Sequence, residues 1–291
     1  MSAHASAAVS ATFPVEGDYR FTARNFQTIA GFLREETGIA LTESKAALVY
    51  SRLAKRLRKL GVADFDAYCA LIDGPDGAGE RKQAIAALTT NVTRFYREPH
   101  HFDYLRRELA PKLAETARRG GRVRLWSAAC SSGEEAYSIA MTLLDVFAEA
   151  PSHDVKILAT DIDPNVIARG KAGVYSDGAV APIPASARER WLTRHDENGE
   201  NAWRVRDELR ALVAFKELNL VGSWPMRGRF DAIFCRNVAI YFNDDTQAFL
   251  WGRLRDVLTP DGRLFIGHSE RIEVSGFESA GLTIYKQAGA R

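Results

Sequence analysis

The first residues whose types and spacing point to chemistry are a glycine followed by two acids. Gly133, Glu134 and Glu135 lie in the stretch LWSAACSSGEEAYSIAM (125–141). An apolar run of strand length stops at small residues, and a helical pattern begins after the glycine. Strand, tight turn and helix N-terminus together cradle nucleotide-like ligands in α/β sheets. Neither GxGxxG nor GxxxxGKS/T is present, so the dinucleotide fingerprint and the phosphate loop are both excluded. Two carboxylates here repel a pyrophosphate and attract a cation. The alternative is pairing with the helix dipole alone, worth about 0.3–1 kcal/mol.

A second acidic element, ILATDID (157–163), places Asp161 28 residues after Gly133. An acid at the end of the second strand of a doubly wound sheet accepts hydrogen bonds from ribose hydroxyls, and Asp161 suits that role. Asp163, followed by Pro164, reads instead as the cap of the next helix; the alternative is that both acids only cap it. A ligand with a ribose, no phosphate, a sulfonium and an ammonium is S-adenosylmethionine.

The elements around these residues change character along the chain. From 19 to 88 the pattern is helical. NFQTIAGFLREETGI, KAALVYSRLAKRLRKLG (ending at Gly61), DFDAYCALID (capped by Asp64) and ERKQAIAALTTNV read as four helices. From 121 onward, VRLWSAA, VKILATDI, FDAIFCRN and GRLFIGHSE are strand-length apolar runs. The helical segments GEEAYSIAMTLLDVFAEA, PNVIARGKAGVY and DDTQAFLWGRLRDVLT lie among them. That alternation argues for a parallel, doubly wound sheet, with LTIYKQ as an antiparallel final strand. Between Tyr175 and Leu212, DENGEN is flanked by RWLTRH and AWRVR, a hairpin signature within an inserted β-unit (about 176–212). The segment 89–120 is expected to be a linker and connecting helix contributing to the cofactor site, and 1–18 a mobile tail.

Several of these segments, in order, resemble the chemotaxis receptor methyltransferases of the CheR family: TTNVTRFYREPHHF, WSAACSSGEEAYSIAM, ILATDID, LNL, FDAIFCRNVAIYF and LTPDGRLFIGHSE. The resemblance runs from about Phe21 to Tyr285. It implies a small all-α N-terminal domain followed by a Rossmann-like, class I S-adenosylmethionine-dependent methyltransferase domain with an inserted antiparallel β-subdomain. It implies cofactor contacts at Asn91, Thr93, Arg97, Glu135, Asp161, Asn219, Leu220, Arg236 and Asn237. Among these, Asp161 suits the ribose diol and Asn219–Leu220 the adenine. Glu135 suits the methionyl ammonium, and Arg97 its carboxylate or that of the substrate. A surface ion pair of Arg97 with Glu98 or Asp103 is the bland alternative. The chain departs from the family at Cys130 and at Ala136, where proline is frequent; neither change adds or removes a polar ligand group.

The implied reaction is methyl transfer to a receptor glutamate carboxylate, giving a methyl ester and S-adenosylhomocysteine. A free Glu has a pKa of about 4.3, so the nucleophile is already ionised and no general base is needed. Arg97 and Tyr241 are the candidates for orienting the carboxylate. His268 reads as structural, because a carboxylate nucleophile gives a base nothing to do.

KAALVYSRLAKRLRKLG carries six basic residues and no acid. Arg52, Lys55 and Arg58 share roughly one helix face and are the candidates for docking on an acidic receptor helix bundle. Leu48, Leu53, Leu57 and Leu60 are expected to pack inward. A solvated amphipathic face is the bland alternative. The resemblance implies that the inserted hairpin is a second contact surface, which in some members of the family takes a receptor C-terminal peptide by strand addition. A methylesterase opposing the reaction is implied by the family alone.

The totals bound these readings. The 291 residues are 46% hydrophobic and 26% charged, as in a globular chain. Net charge is +2, from 39 basic and 37 acidic residues, so attraction to an acidic partner must be local. The basic face is short and lacks interleaved aromatics, which disfavours nucleic acid, and CRNVAIYF stands where base methyltransferases carry [DN]PP[YFW]. Cys69, Cys130 and Cys235 form neither a disulfide framework nor a zinc spacing, and no metal site is expected. With no signal-like start and no run long enough to span a bilayer, a cytoplasmic protein without membrane insertion is expected.

Overall fold

The computed structural model describes residues 17–197 and 199–289. Most of the expected tail, and Asn198 of the expected Asn-Gly turn, lie outside the described residues. The chain divides between Thr89 and Thr90 into two compact units.

The first unit contains α1 (Ala23–Thr37), α2 (Ala46–Leu60), α3 (Phe65–Asp73) and α4 (Ala78–Leu88). Local chemistry sets their ends. Thr22 and Asn25 form a capping box on α1, Asp64 accepts from the Ala67 amide at α3, and Gly61 closes α2 in the left-handed region at φ 67°. On α2 the buried stripe is Val49, Leu53 and Leu57, spaced by four. Leu48 and Leu60 do not join it; they remain 38% and 43% exposed, Leu48 because it sits about 100° from Val49 around the helix, and Leu60 because it is the last residue of α2. Arg56 turns inward, its guanidinium donating to Glu80 at 3.0 and 2.5 Å, while the Tyr68 hydroxyl donates to the same carboxylate at 2.7 Å. Burial, then the bond to Glu80, raises the Tyr68 pKa far above its ordinary value.

The second unit opens with α5 (Pro99–Tyr104), which runs through a π-helical turn (Leu105–Leu109) into α6 (Ala110–Arg118). Pro111 explains the wide turn: it lacks an N–H, and its ring crowds the carbonyl one turn back. There follow β1 (Val123–Ala128), α7 (Glu134–Val146), β2 (Val155–Asp161), α8 (Pro164–Ala172), β3 (Val174–Ser176), α9 (Asp177–Val180) and α10 (Ala185–Trp191). Next come β4 (Leu192–Glu197), β5 (Glu200–Val205), α11 (Asp207–Arg210), β6 (Val213–Glu217), β7 (Phe230–Cys235), α12 (Asp244–Asp256), β8 (Leu258–Ile266), β9 (Phe277–Gly281) and β10 (Ile284–Gln287).

The main sheet has the order β6-β2-β1-β7-β8-β10-β9. The first five strands are parallel, and β10 is antiparallel to both its neighbours. β1 and β7 are buried along nearly their whole length, as central strands covered on both faces must be. The inserted unit is a second, antiparallel sheet in the order β3-β5-β4. Two strands escape the sequence pattern. β6 is a short edge strand with only two buried side chains, and β9 has none. The expected helix through Tyr175 stops at Ala172, where Gly173 turns left-handed and β3 begins. Among the described residues no helix is long and apolar enough to cross a membrane.

Candidate functional site

In a parallel sheet ligands bind at the carboxyl ends of the strands, where the strand order reverses. Here that point is β1, which lies between β2 and β7. The backbone is strained at the same place. Ala129 (φ 61°), Ser131 (φ 49°) and Gly133 (φ 97°) form the turn after β1, and Asn237 (φ 58°) follows β7. Tyr96 (φ 52°) and Glu98 (φ 59°) lie in the loop before α5. Non-glycine residues in this region cost of order 1–3 kcal/mol each and concentrate at ligand sites. Gly133 is required by contact as well. A Cβ there would lie 2.9 Å from the Phe215 ring, 3.0 Å from the Tyr175 hydroxyl and 3.1 Å from Gly170 Cα.

Asp161 ends β2 with 6% exposure. Its Oδ2 accepts from the Ser131 amide at 2.9 Å and its Oδ1 from the Asp163 amide at 3.0 Å. A carboxylate accepts about four hydrogen bonds, so both oxygens retain capacity for a diol. Burial pushes the Asp161 pKa up, against the two backbone donors. Asp163 is the cap of α8, accepting from the Asn165 amide at 2.8 Å, so the two acids divide the roles. Asn91 belongs to this group: its Nδ2 donates to Asp163 Oδ2 at 2.8 Å, and its carbonyl accepts from Ser131 Oγ at 2.9 Å.

The second group is centred on Arg236, which is buried at the end of β7. Its Nη1 donates to Glu135 Oε2 at 2.9 Å and its Nη2 to Glu98 Oε2 at 3.1 Å and to the Arg97 carbonyl. Ser127 Oγ donates to the other oxygen of Glu135 at 2.6 Å, and His268 Nδ1 lies 2.7 Å from Glu98 Oε1. Burial works to raise the Glu98 pKa, but the His268 hydrogen bond and the Arg236 charge bring it down to about 2. Burial pushes Glu135 up, with Arg236 and Ser127 opposing. Two carboxylates against one guanidinium leave a net negative charge. Glu134 turns away, accepting from Ser132 Oγ at 2.8 Å.

The remaining expected residues are spread around this edge. Thr93 is half-buried in the loop before α5. Arg97 Nη1 donates to the Val92 carbonyl at 3.0 Å, and neither Glu98 nor Asp103 is its ion-pair partner. After β6, Asn219 Oδ1 accepts from the Val221 amide at 3.1 Å, and Leu220 is buried. Arg253 holds this loop from α12, donating to the Leu220 and Gly222 carbonyls at 3.0 and 2.7 Å, with its guanidinium 3.8 Å from the Trp224 ring centroid. Asn237 Nδ2 approaches Glu98 Oε1 at 3.5 Å. Tyr241 ends the short turn after β7, half-buried, its hydroxyl without a hydrogen bond among the described residues. The Cys130 thiol is buried and pushed well above its ordinary pKa, which leaves it unreactive. Sequence reasoning missed Glu98 and Ser127 as partners of the charge cluster, Arg253, and Glu270. Glu270 is buried and accepts from the amides of Asn237, Val238 and Ala239.

In the first unit, Arg52 Nη1 donates to the Ala87, Leu88 and Thr89 carbonyls at 3.3, 2.8 and 2.7 Å and so closes the end of α4. Lys55 and Arg58 are exposed.

Residues 91–285 match the model of the CheR methyltransferase S-adenosylmethionine-binding domain, and residues 24–89 that of the CheR all-alpha domain. The chain belongs to the CheR methyltransferase family. It is 46% identical over 254 residues to a probable chemotaxis protein methyltransferase of Rhizobium etli, covering 86% of this chain and 95% of that one. It is 42% identical to chemotaxis protein methyltransferase 2 of Pseudomonas aeruginosa, over 94% of this chain and 98% of the relative. It is also 42% identical to the chemotaxis protein methyltransferase of Escherichia coli, over 90% of both chains. Membership in the CheR family makes S-adenosylmethionine the ligand, and the site fits it. Asp161 has acceptor capacity to spare, the turn after β1 carries no cation for a phosphate, and the Glu98–Arg236–Glu135 cluster keeps an unneutralised negative charge.

Proposed function

We propose that this CheR protein methylates glutamate side chains of chemoreceptors, forming glutamyl methyl esters for sensory adaptation in the cytoplasm. The supporting observation is the net-negative cluster of Glu98, Glu135 and Arg236 beside a ribose-type acid, with no candidate base engaged with it other than the exposed His268. Bound S-adenosylmethionine would supply an electrophilic methyl on a sulfonium, which suits an anionic carboxylate acceptor. The nucleophile is ionised at neutral pH, so the protein's work is positioning and exclusion of water.

Asp161 holds the ribose, Asn219 and Leu220 the adenine, and Glu135 with Asn91, Thr93, Arg236 and Asn237 the remaining cofactor surface. Arg97, bonded through Nη1 to the Val92 carbonyl, and Tyr241, whose hydroxyl has no hydrogen bond among the described residues, orient the incoming carboxylate. Lys55 and Arg58 dock an acidic receptor helix; Arg52 supports that face by fixing the end of α4. The β3-β5-β4 sheet, with β4 at its edge, is suited to capture a receptor C-terminal peptide. A methylesterase would reverse the modification.

The test is incubation with methyl-labelled S-adenosylmethionine and a receptor cytoplasmic fragment. Base-labile label released as methanol is expected from the wild-type fragment, and none from one with its acceptor glutamates changed to alanine. Lys55→Glu with Arg58→Glu should lower transfer to receptor without changing S-adenosylhomocysteine affinity. Alkali-stable label, or label on a residue other than glutamate, refutes the assignment.

A further inference from the structure

Three consecutive amides after β7, those of Asn237, Val238 and Ala239, converge on one carboxylate. Glu270 Oε2 accepts from Asn237 at 2.9 Å and Oε1 from Val238 and Ala239 at 2.9 and 2.8 Å. Oε2 also takes the Gly267 amide. Glu270 is 3% exposed, and its own amide donates to the Gly267 carbonyl at 3.0 Å, which folds the loop after β8 back on itself. Successive amides around a left-handed residue form a concave anion receptor. Here Asn237 supplies the left-handed residue at φ 58°. The receptor is filled from within, by a side chain of the next strand's loop.

The two loops touch. A Cβ on Gly267 would lie 2.4 Å from Asn237 Nδ2 and 2.9 Å from Asn237 N. Removing the carboxylate would leave four amides without an acceptor, those of Ala239 and Gly267 buried and those of Asn237 and Val238 partly so; three of them lie in the segment that carries Arg236, Asn237 and, through the Ala239–Tyr241 turn, Tyr241. Among the described residues no other group accepts from these amides, so Glu270 fixes the loop's shape.

We propose that Glu270 is a positioning residue for methyl transfer, acting through the 236–241 loop rather than touching the reactants. This rests on the reading that Asn237 and Tyr241 face cofactor and substrate. The isosteric Glu270→Gln variant separates positioning from folding. Whichever way its amide lies, an NH2 group faces one pair of backbone donors. Calorimetry with S-adenosylhomocysteine gives stoichiometry, which counts folded sites, and Kd, which reports their geometry.

For Glu270→Gln we expect a Kd raised about tenfold and a kcat per competent site lowered by a similar factor, since hydrogen bonds to a charged group are the strong ones. Glu270→Ala should bind more weakly still and recover affinity in acetate or formate, which refill the receptor. If Glu270→Ala does not fold, the glutamine variant decides. A Kd and kcat per site within about twofold of wild type, with only a lower Tm, overturn the proposal. Wild-type protein that binds the product but does not methylate receptor refutes the receptor assignment, while the calorimetric comparison still decides the role of Glu270.

Discussion

Replacing Arg236 by methionine keeps most of the side-chain volume and removes the guanidinium between Glu98 and Glu135. The side chains of the three are 2%, 11% and 12% exposed, so the two carboxylates left behind cannot be rescued by water. Breaking a buried pair in this way costs about 3–5 kcal/mol. For a unit the size of 90–291, each kcal/mol moves Tm by about 2–4 °C, so a fall of roughly 6–20 °C is expected. The pH dependence carries the sharper test. In the wild type Glu98 sits at about 2 in the folded state, where burial is overcome by His268 and Arg236. Its stabilising contribution is therefore complete above the ordinary carboxylate range and lost as pH falls toward 2. Without Arg236, burial is opposed chiefly by His268 at Glu98 and by Ser127 at Glu135, so both acids shift upward and the variant loses stability relative to wild type as pH rises. The gap in unfolding free energy should widen from pH 5 to pH 7.5, measured by urea titration at each pH. Adding Glu98→Gln and Glu135→Gln to Arg236→Met should recover more than half of the loss, because the penalty belongs to the unpaired charges. A gap below about 1 kcal/mol at pH 7.5, or one that does not change with pH, would refute this account of the cluster.

Three further outcomes follow from the turn and the ribose acid. Asp161→Asn should weaken S-adenosylhomocysteine binding at least about tenfold by calorimetry. Because burial raises the Asp161 pKa, wild-type affinity should begin to fall at a pH above the usual aspartate range as the carboxylate takes a proton; constant affinity down to pH 4 would count against it. Gly133→Ala must hold φ 97° and crowd Phe215, Tyr175 and Gly170, so a loss of about 2–4 kcal/mol is expected in a thermal melt. A variant as stable as wild type would mean that the turn relaxes freely.

Local pattern made much of the fold legible. The strand–turn–helix around Gly133, the acid ending β2, the Asp64 and Asp163 caps and the hairpin flanks all depend on residues close in sequence, and all appear where periodicity and capping rules put them. Misplacements came where local signal is weak. β6 and β9 present few apolar residues because each packs at or near the sheet edge. Leu48 matches the composition of a core face but not its angular position on α2, and Leu60 falls on the helix's last residue.

The site divides in the same way. Asp161 could be picked out because its role follows from its position at the end of one strand. The partners of the charges could not. Arg236 meets Glu135 across 101 residues and Glu98 across 138, and Glu270 reaches the Ala239 amide across 31. Arg52 and Lys55 look alike in a helical pattern, yet packing of α4 turns one to the Thr89 carbonyl and leaves the other exposed. The sequence alone determined the family, the alternation of elements and the cofactor class, because these are written in contiguous motifs. Only the tertiary structure decided which acid is capped, paired or left with acceptor capacity. A polar group's partner depends on where distant chain returns, and burial decides whether that partner matters.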